Sequence, residues 1–330
     1  MRLGKLGRIV RVNLRSNAVH FLLASIGVVV GIAAFAFFLA LGAGVRSVVL
    51  GKIFPLDQLE VVAKTLSLDL GPLSLGMASD VLDDASADKL RAIEGVRGVY
   101  PKMKLTVPAT ASGGKALIGN DLRTELIVDG IDPALVADEI GPAFRDPPPP
   151  GPVKACKEDS ECGEGYCGRP REGGPDKVCR EYVPALVSRH LVEIYNGSLR
   201  RAYDLPRLNE DFLLGISVEM KVGASMVEAS VRDALLYERV KLVGFSDKAI
   251  TLGLTLPRGY VAGYNVHYGT PEAAKRYHSI VVKVTAKDQV AAVAKAIEQL
   301  DLEVTDSGAE QAGMLITVFV LVFSLLSTII

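Results

Sequence analysis

The residues with the most evident chemistry are four cysteines that fall within 24 positions of a 330-residue chain: Cys156, Cys162, Cys167 and Cys179. Clustered cysteines form disulfides or bind zinc. Structural zinc sites usually pair ligands two to four residues apart, whereas the gaps here hold five, four and eleven residues. The surrounding stretch has few apolar residues to hold it together by burial. We therefore expect two disulfides, in any of three pairings, with zinc as the weaker alternative.

Histidine chemistry has less support, because the four histidines are scattered and none lies in a recognised metal or catalytic motif. The sequence contains no HExxH, GxSxG or CxxC pattern. His190 follows Arg189 in a predicted helix and is interpreted as a surface or capping residue. The histidines are His20, His190, His267 and His278.

Nucleotide and acid–base chemistry are not indicated either. Gly51-Lys52 lacks the earlier glycine of a phosphate-binding loop and is followed by Ile53. The acidic pairs Asp83-Asp84 and Glu210-Asp211 are interpreted as helix-start or loop charges. We therefore expect no enzyme activity in this chain, and we predict neither a cofactor nor a metal site.

Two uncharged apolar segments set the position of these residues relative to a membrane. Phe21–Val45 contains 25 residues without a charge, which as a helix spans roughly 37 Å, enough to cross a bilayer core. Gly313–Ile330 is a second apolar stretch of 18 residues. The mean hydropathy of +0.29 and the 23% of charged residues together fit a water-exposed body with a few membrane helices. We also expect the chain to continue beyond Ile330 in a longer protein.

The charge distribution predicts the orientation. Lysine and arginine total 37 against 38 acidic residues, a balance that argues against nucleic-acid binding. Residues 1–46 nevertheless contain six basic residues and no acid. By the positive-inside rule the N-terminus is cytoplasmic, and residues 46–311 lie outside the cytoplasm. The cysteines would then be in an oxidising compartment, which favours disulfides.

The residues around the first apolar segment suggest membrane contacts. Leu3, Leu6, Val10 and Leu14 fall near one face of residues 2–17, which predicts an amphipathic helix on the anionic inner leaflet, with an unstructured basic leader as the alternative. Within the apolar segment, Gly27 and Gly31 form a GxxxG pattern, which permits close packing of two membrane helices.

The intervening residues predict an α+β domain with a βαβ-type body, an inserted subdomain and one transmembrane α-helix on either side. Residues 146–152 form a polyproline boundary, and the cysteine-rich insert follows to about Val183. Helices are predicted at residues 84–94, 184–195 and 288–300. Strands are predicted at residues 57–64, 96–108, 116–129, 211–223, 279–285 and 301–305, with two more within 238–256.

These predictions combine into seven regions. In chain order they are an amphipathic helix (1–17), the first transmembrane helix (18–45), the first part of the body (46–145), the proline-rich boundary with the cysteine-rich insert (146–183), an inserted subdomain (184–237), the second part of the body (238–311) and the second transmembrane helix (312–330).

Several short motifs, in this order, carry a resemblance to a known family. They are the opening segment 9–44 with its ALGAG turn at Ala40–Gly44, ADKLRAIEGVRGVYP at 87–101, LIVDGIDP at 126–133 and ERVKLVGF at 238–245. With the span–domain–span arrangement, they resemble the MacB, FtsX and LolC/LolE superfamily of ABC transporter permeases. The resemblance covers nearly the whole chain apart from the cysteine-rich insert.

The resemblance implies an inner-membrane permease subunit with four transmembrane helices and a periplasmic core domain between the first two. It also implies a second permease copy or paralogue as a dimer partner, a separate cytoplasmic ABC ATPase subunit and contact with membrane lipid. The periplasmic domain would act on an extracytoplasmic client such as a lipoprotein, an export partner or a cell-envelope protein. Helices three and four, which the resemblance implies, do not follow in this sequence. A membrane-tethered binding or scaffold protein without an ATPase is the alternative function.

Overall fold

A computed structural model describes residues 17–48, 57–69, 74–78, 81–113, 122–149, 151–171, 173–203, 206–227 and 235–305. The predicted amphipathic helix and the second apolar segment lie outside these residues. The chain divides into two compact units, of which one contains the N-terminal helix and the other is Leu59–Val304.

Helix α1 extends over Ala18–Val48. Its window Ala18–Phe37 has a mean hydropathy of 2.3, and none of these residues is buried. By length and composition this helix can therefore cross a membrane, as predicted for residues 18–45. A Cβ atom added at Gly27 or Gly31 would meet no other atom of the described residues within 4 Å.

The second unit is built on an 11-stranded mixed sheet with the order β15-β1-β14-β4-β7-β13-β10-β12-β11-β5-β6. Its strands are β1 (Gln58–Ala63), β4 (Val96–Lys104), β5 (Ala109–Gly113), β6 (Leu122–Leu126), β7 (Val128–Ile131), β10 (Val183–Val187), β11 (Ser217–Val222), β12 (Leu236–Phe245), β13 (Leu254–Pro257), β14 (Ser279–Val284) and β15 (Leu302–Thr305). Two separate hairpins are β2 (Thr65–Asp69) with β3 (Ser74–Ala78) and β8 (Tyr166–Gly168) with β9 (Val178–Arg180).

The helices of this unit pack on the sheet or lie in the segments that connect its strands. They are α2 (Asp84–Arg91), α3 (Ala137–Ile140), α4 (Arg189–Ile194), α5 (Arg200–Tyr203), α6 (Glu210–Leu213), α7 (Arg258–Tyr268) and α8 (Val290–Glu298), with a π-helical turn at Tyr195–Leu199. Shorter 3₁₀ turns lie at Pro133–Leu135, Gly141–Ala143, Asp159–Cys162, Pro271–Lys275 and Lys287–Gln289.

Alternation along β4 shows how the two faces of the sheet differ. Val99 and Met103 point into the larger core, where α2, α7 and α8 pack against the sheet. Tyr100 lies on the opposite face in a smaller apolar cluster with Ile131 and Phe144. The smaller cluster leaves room on that face for polar side chains, which form one of the two sites described below.

Local sequence explains where helix α2 begins and why helix α7 can approach strand β7 closely. Asp83 caps α2, since its carboxylate accepts a hydrogen bond from the Ser86 backbone N–H at 2.9 Å. At Gly130 in β7, an added Cβ would lie 2.9 Å from the Val261 side chain of α7. Glycine at this position therefore allows α7 to pack directly on the sheet.

The predicted α+β class is confirmed, but the predicted helix at 184–195 is wrong in its first half. Residues Val183–Val187 form β10, which pairs in parallel with β12, and the helix begins only after Ser188. A short apolar run that is buried on both faces has no period that distinguishes strand from helix. Strand β10 thus lies within the main sheet, although the sequence assigned it to a separate subdomain; the other region boundaries stay predictions.

Three further differences are smaller. The strand predicted at 116–129 is divided into β6 and β7 at Ile127, with residues 114–121 outside the described part of the chain. The strand predicted at 211–223 begins with helix α6, and β11 starts at Ser217. Helix α7 was not predicted, because it follows Pro257 directly, has no polar cap and contains two glycines.

Candidate functional site

The first candidate site is the cysteine-rich insert, residues 153–183, together with the clefts beside it. The insert is held by the disulfides Cys156–Cys167 and Cys162–Cys179, with Cα–Cα distances of 5.8 and 5.2 Å. The predicted disulfides are thus present, in one of the three pairings that the sequence left open. A disulfide sulfur carries no thiolate charge, so a zinc ion could bind these cysteines only after both bonds were reduced.

The backbone of the insert is a small sheet built around the cysteines. Cys167 of β8 lies directly opposite Cys179 of β9, and Ala155 forms a bridge with Val178 on the other side of β9. Tyr166 and Val178 are buried, but the segment is too short to bury a core of its own. The disulfides therefore supply the constraint that apolar burial provides elsewhere in the chain.

A buried carboxylate anchors the insert to the main sheet. Glu238 in β12 has no exposed side-chain surface, and its two oxygens accept hydrogen bonds from two arginines of the insert. Arg171 Nε donates to Oε1 at 2.7 Å, and Arg180 Nη2 donates to Oε2. A carboxylate that is removed from water in this way is stable only while both charges are compensated.

The electrostatic effects of this anchor extend to its neighbours. Burial, and next the charge of Glu238, raise the pKa of Tyr166 to about 12. Burial disfavours the cation of Arg171, but the charge of Glu238 outweighs it and raises the pKa of this guanidinium above its usual value. Tyr166 is therefore a neutral hydrogen-bond donor and acceptor, and Arg171 remains a cation at every physiological pH.

The insert also satisfies backbone groups at an incomplete edge of β12. Pairing between β10 and β12 begins at Val183 and Val240. Before that point, the Tyr237 carbonyl accepts a hydrogen bond from Arg180 Nη1 at 2.7 Å, and the Arg239 backbone N–H donates to the Tyr166 hydroxyl at 3.2 Å. Side chains of the insert thus take the place of a neighbouring strand.

A third contact ties the turn of the insert to the same strand. Arg239 Nη1 lies 2.5 Å from Asp159 Oδ2, while Asp159 Oδ1 accepts a hydrogen bond from the Cys167 backbone N–H at 2.9 Å. The backbone N–H of Cys167, and next the guanidinium of Arg239, lower the pKa of Asp159. The insert is therefore fixed to the body by Asp159, Arg171 and Arg180.

Two clefts lie where the insert meets the body. One has a volume of about 460 Å³ and is lined by Arg145, Glu164, Tyr182 and Lys241, among others. The other, of about 610 Å³, lies against the polyproline segment and Arg171. Tyr260 lines both clefts, so the two clefts lie on either side of this residue. Prolines, tyrosines and charged rims of this kind suit protein contacts better than catalysis.

The second candidate site is a polar cluster on the sheet face opposite the larger core, formed by Glu60, Lys102, Asp129, His278 and Ser279. Lys102 Nζ lies 3.2 Å from Glu60 Oε1, which also accepts a hydrogen bond from the Ser279 hydroxyl at 2.7 Å. Asp129 is 2% exposed, and its Oδ2 lies 3.9 Å from His278 Nε2. Asp129 Oδ1 and His278 Nδ1 have no hydrogen-bond partner among the residues that the structure describes.

Burial shifts the protonation equilibria of this cluster. It raises the pKa of Asp129 to about 6, against the opposing charge of Lys102. It lowers the pKa of His278 to about 4, and the charges of Lys102 and Lys104 act in the same direction. Burial also disfavours the Glu60 carboxylate, but Lys102 and Ser279 outweigh it, so the pKa of Glu60 lies below its usual value. Of these three groups, Asp129 has the pKa nearest to physiological pH.

The structure separates the residues that the sequence considered for catalysis. His190 is exposed on α4 at 3.4 Å from Glu193, and the His267 ring lies edge-on to Tyr268. His278 is the one histidine of the four that joins a buried charged cluster among the described residues. The acidic pairs lie at helix starts as interpreted: Asp83 caps α2, and Glu210-Asp211 form the first turn of α6.

Sequence reasoning missed the two acidic residues that matter most here, Glu238 and Asp129. Each occupies an inward position of a strand with apolar neighbours, which is a detectable signal for a paired or perturbed carboxylate. The arginines that pair with Glu238 are 67 and 58 residues away. Nothing local in the sequence identifies them as its partners.

Comparison with known proteins agrees with the family resemblance. Residues 177–307 match the family model described as PCD-like, a probable transporter periplasmic core domain. The match agrees with the periplasmic core domain that the sequence resemblance implied. No curated protein matches the sequence significantly.

Two solved structures are remotely similar. One is the extracellular domain of the noncanonic ABC-type transporter YknZ from Gram-positive bacteria, with 12% identity and a TM-score of 0.34, covering 76% of this chain and 100% of that one. The other is the periplasmic region of MacB from Actinobacillus actinomycetemcomitans, with 12% identity and a TM-score of 0.36, covering 78% of this chain and 92% of that one.

Proposed function

We propose that this chain is the permease subunit of a MacB/FtsX-like ABC transporter, which passes ATP-driven movement to an extracytoplasmic domain that acts on a client. The observation that carries the proposal is the match of residues 177–307 to a transporter periplasmic core domain. Helix α1, long and apolar enough to cross a membrane, supports it. ATP would be hydrolysed by a separate cytoplasmic subunit, as the family resemblance implies.

The membrane orientation is part of the proposal. Five basic residues and no acid precede α1, which favours a cytoplasmic N-terminus in the inner membrane. The two disulfides support an extracytoplasmic position for Leu59–Val304, because disulfides persist in oxidising compartments. A second permease copy or paralogue would pack against the Gly27–Gly31 face of α1.

The edge strand β15 and its neighbour β1 suggest how movement would enter the outer domain. Strand β1 is the first described strand after α1, and β15 is the last described strand before the second apolar segment; the two are neighbours in the sheet. Lys64, just after β1, lies 3.2 Å from Asp301, just before β15. The strands therefore run in opposite directions, and Gln58 and Thr305 lie at the same end. Movement of both membrane segments would reach the sheet at one point.

The insert and its clefts are the proposed client-binding surface. The insert is built on β12 rather than on β15 and β1, so it can present a contact surface while those two strands receive movement. The anchor through Glu238 makes the insert rigid relative to the sheet. Movement of the sheet would then displace whatever the clefts hold.

The test is a mild-detergent pull-down of the tagged, full-length protein from its native membranes, followed by mass spectrometry. We expect a cytoplasmic ABC ATPase in near-equal amount. Recovery of extracytoplasmic proteins without an ATPase would contradict the permease assignment and favour the tethered scaffold. A Lys241→Glu variant, which reverses a charge in the 460 Å³ cleft, should lose the client and retain the ATPase.

A further inference from the structure

The two disulfides of the insert lie against each other. The Sγ atoms of Cys156, Cys162 and Cys167 are all within 4.8 Å of one another. Cys156 and Cys167 are bonded together, whereas Cys162 is bonded to Cys179. One sulfur of the second disulfide is therefore close to both sulfurs of the first. Exchange between a thiolate and a disulfide requires this kind of proximity.

The two bonds differ in their access to solvent. As whole residues, Cys156 and Cys167 are 9% and 7% exposed. Cys162 and Cys179 are partly exposed. A thiol from outside the protein would thus reach Cys162–Cys179 first, and the inner bond would be reached most easily through Cys162.

The backbone gives Cys162 more freedom than the other three cysteines. Cys167 and Cys179 are held opposite each other in the β8–β9 ladder, and the Cys156 backbone N–H donates to the Lys177 carbonyl at 3.0 Å. Cys162 instead ends the 3₁₀ turn Asp159–Cys162 and is followed by Gly163, which has a φ of 59°. Its sulfur can approach the inner disulfide by rotation of the side chain without breaking the small sheet.

We propose that the insert is a thiol–disulfide exchange site. In this site, Cys162 is released from the outer disulfide, Cys162–Cys179, and then attacks the inner disulfide, Cys156–Cys167. Its substrate class is an extracytoplasmic thiol on a peptide, a protein or a small molecule. The proposal does not depend on the permease assignment, because it concerns only the sulfur chemistry of the insert.

The reaction balances in two exchange steps. The external thiolate attacks Cys179 Sγ, forms a mixed disulfide with it and releases Cys162 as a thiolate. Cys162 then attacks Cys156 or Cys167 Sγ, forms a new disulfide and releases the other cysteine as a thiolate. Each step makes one sulfur–sulfur bond and breaks one, so no further oxidant or reductant is consumed.

The test compares two variants of the full-length protein in detergent, in each of which one cysteine is replaced by serine. Each variant is incubated with a catalytic amount of reduced glutathione, and its free thiols are then alkylated. Cys179→Ser leaves Cys162 free beside the inner disulfide. Cys162→Ser leaves Cys179 free, which is outside the group of three close sulfurs. We expect Cys162 to appear in new pairs with Cys156 or Cys167 at least about tenfold more often than Cys179 does in the control variant.

The pairs can be read directly by mass spectrometry under non-reducing conditions. Cleavage after lysine, arginine and glutamate places each cysteine on its own peptide, because Lys157, Glu161, Glu164 and Lys177 separate them. An inner Cys156–Cys167 bond that stays intact in both variants would overturn the proposal.

A second measurement covers the case in which Cys179→Ser fails to fold. The unaltered protein is treated with limiting reduced glutathione and alkylated at intervals. We expect glutathione on Cys179 together with pairs that join Cys162 to Cys156 or Cys167. Stepwise loss of Cys162–Cys179 with an unchanged inner bond would contradict the exchange.

Discussion

At the scale of single residues, the two buried carboxylates Glu238 and Asp129 differ in how their negative charge is compensated. Glu238 forms ion pairs with two arginines of the insert, which compensate its charge. Among the described residues Asp129 has no such partner, since Lys102 is paired with Glu60 and His278 lies 3.9 Å away with a lowered pKa. Burial therefore raises the pKa at Asp129. The two positions should respond differently to substitution and to pH.

Replacing Glu238 by alanine should destabilise the domain by about 3–5 kcal/mol, because it leaves Arg180 buried without a countercharge. Hydrogen exchange should show the loss of protection first in the insert, which the carboxylate anchors. The matched control is Glu181→Ala, which removes an ion pair with Arg145 whose side chains are 52% and 66% exposed. That change should cost at most about 1 kcal/mol. Equal effects of the two substitutions would show that Glu238 is not an anchor.

Replacing Asp129 by asparagine should stabilise the domain at neutral pH and have little effect near pH 4. The pKa of Asp129 is about 6 in the folded protein against 3.8 for the unperturbed group. The folded state thus binds the proton more tightly, so this contribution to stability is present below pH 4 and is lost as the pH rises through 6. The advantage of the variant should grow by about 3 kcal/mol over that range.

Chemical denaturation of both proteins at several pH values measures this difference. Asp159→Asn is the control with the opposite sign, because the pKa of Asp159 is lowered in the folded protein. Its carboxylate stabilises the fold above the unfolded pKa, and the effect disappears as the pH falls. An Asp129→Asn variant whose advantage is independent of pH would contradict the assigned protonation of Asp129.

At the scale of elements, the sequence predicted those helices and strands whose periodicity is sustained. Helices α2 and α8 and strands β1, β4, β12, β14 and β15 lie where alternation or a helical stripe indicated them. The predictions failed at β10 and α7. Strand β10 is buried on both faces, and α7 has an apolar sequence with glycines, so neither shows a clear strand or helix period of hydrophobic residues. The pairing of β10 with β12 depends on partners more than 50 residues away, which no local pattern contains.

The same limit applies to the sites. Four cysteines in a segment with little apolar sequence were enough to predict disulfides, because their chemistry is local to that segment. The anchor at Glu238 was not predicted, because its arginines reach the carboxylate only after the insert has folded back onto β12. The polar cluster around Asp129 likewise requires four neighbouring strands to be in register.

The contact between α7 and the sheet gives a prediction at this scale. A Gly130→Ala substitution adds a Cβ 2.9 Å from the Val261 side chain and 3.2 Å from the Arg258 Cα atom. Neither the Arg258 backbone nor the β-branched Val261 side chain can easily move away from the added atom. We therefore expect the free energy of unfolding to fall by about 1–3 kcal/mol. Gly197→Ala is the control, since its added Cβ meets nothing within 4 Å. Thermal unfolding of both variants measures the difference, and an unchanged melting temperature for Gly130→Ala would contradict this packing.

At the scale of the whole molecule, the proposed function depends on which side of the membrane holds Leu59–Val304. The sulfur chemistry of the insert and the proposed client contact both require an extracytoplasmic position. The basic segment before α1 is the feature that predicts that orientation, because lysine and arginine near a membrane helix are retained in the cytoplasm. Orientation is therefore the property that connects the disulfides, the membrane helix and the transporter assignment.

Protease added to intact spheroplasts should cleave the region between the two apolar segments and leave an N-terminal epitope tag protected. Replacing Arg8, Arg11 and Arg15 by glutamate removes most of the positive charge ahead of α1, so a measurable fraction of the protein should then expose its tag instead. Substituting the same three residues by lysine keeps the charge and should preserve the original pattern. Digestion of the tag in the unaltered protein, with the central region protected, would place the disulfides in the cytoplasm and would refute the orientation on which the proposed function depends.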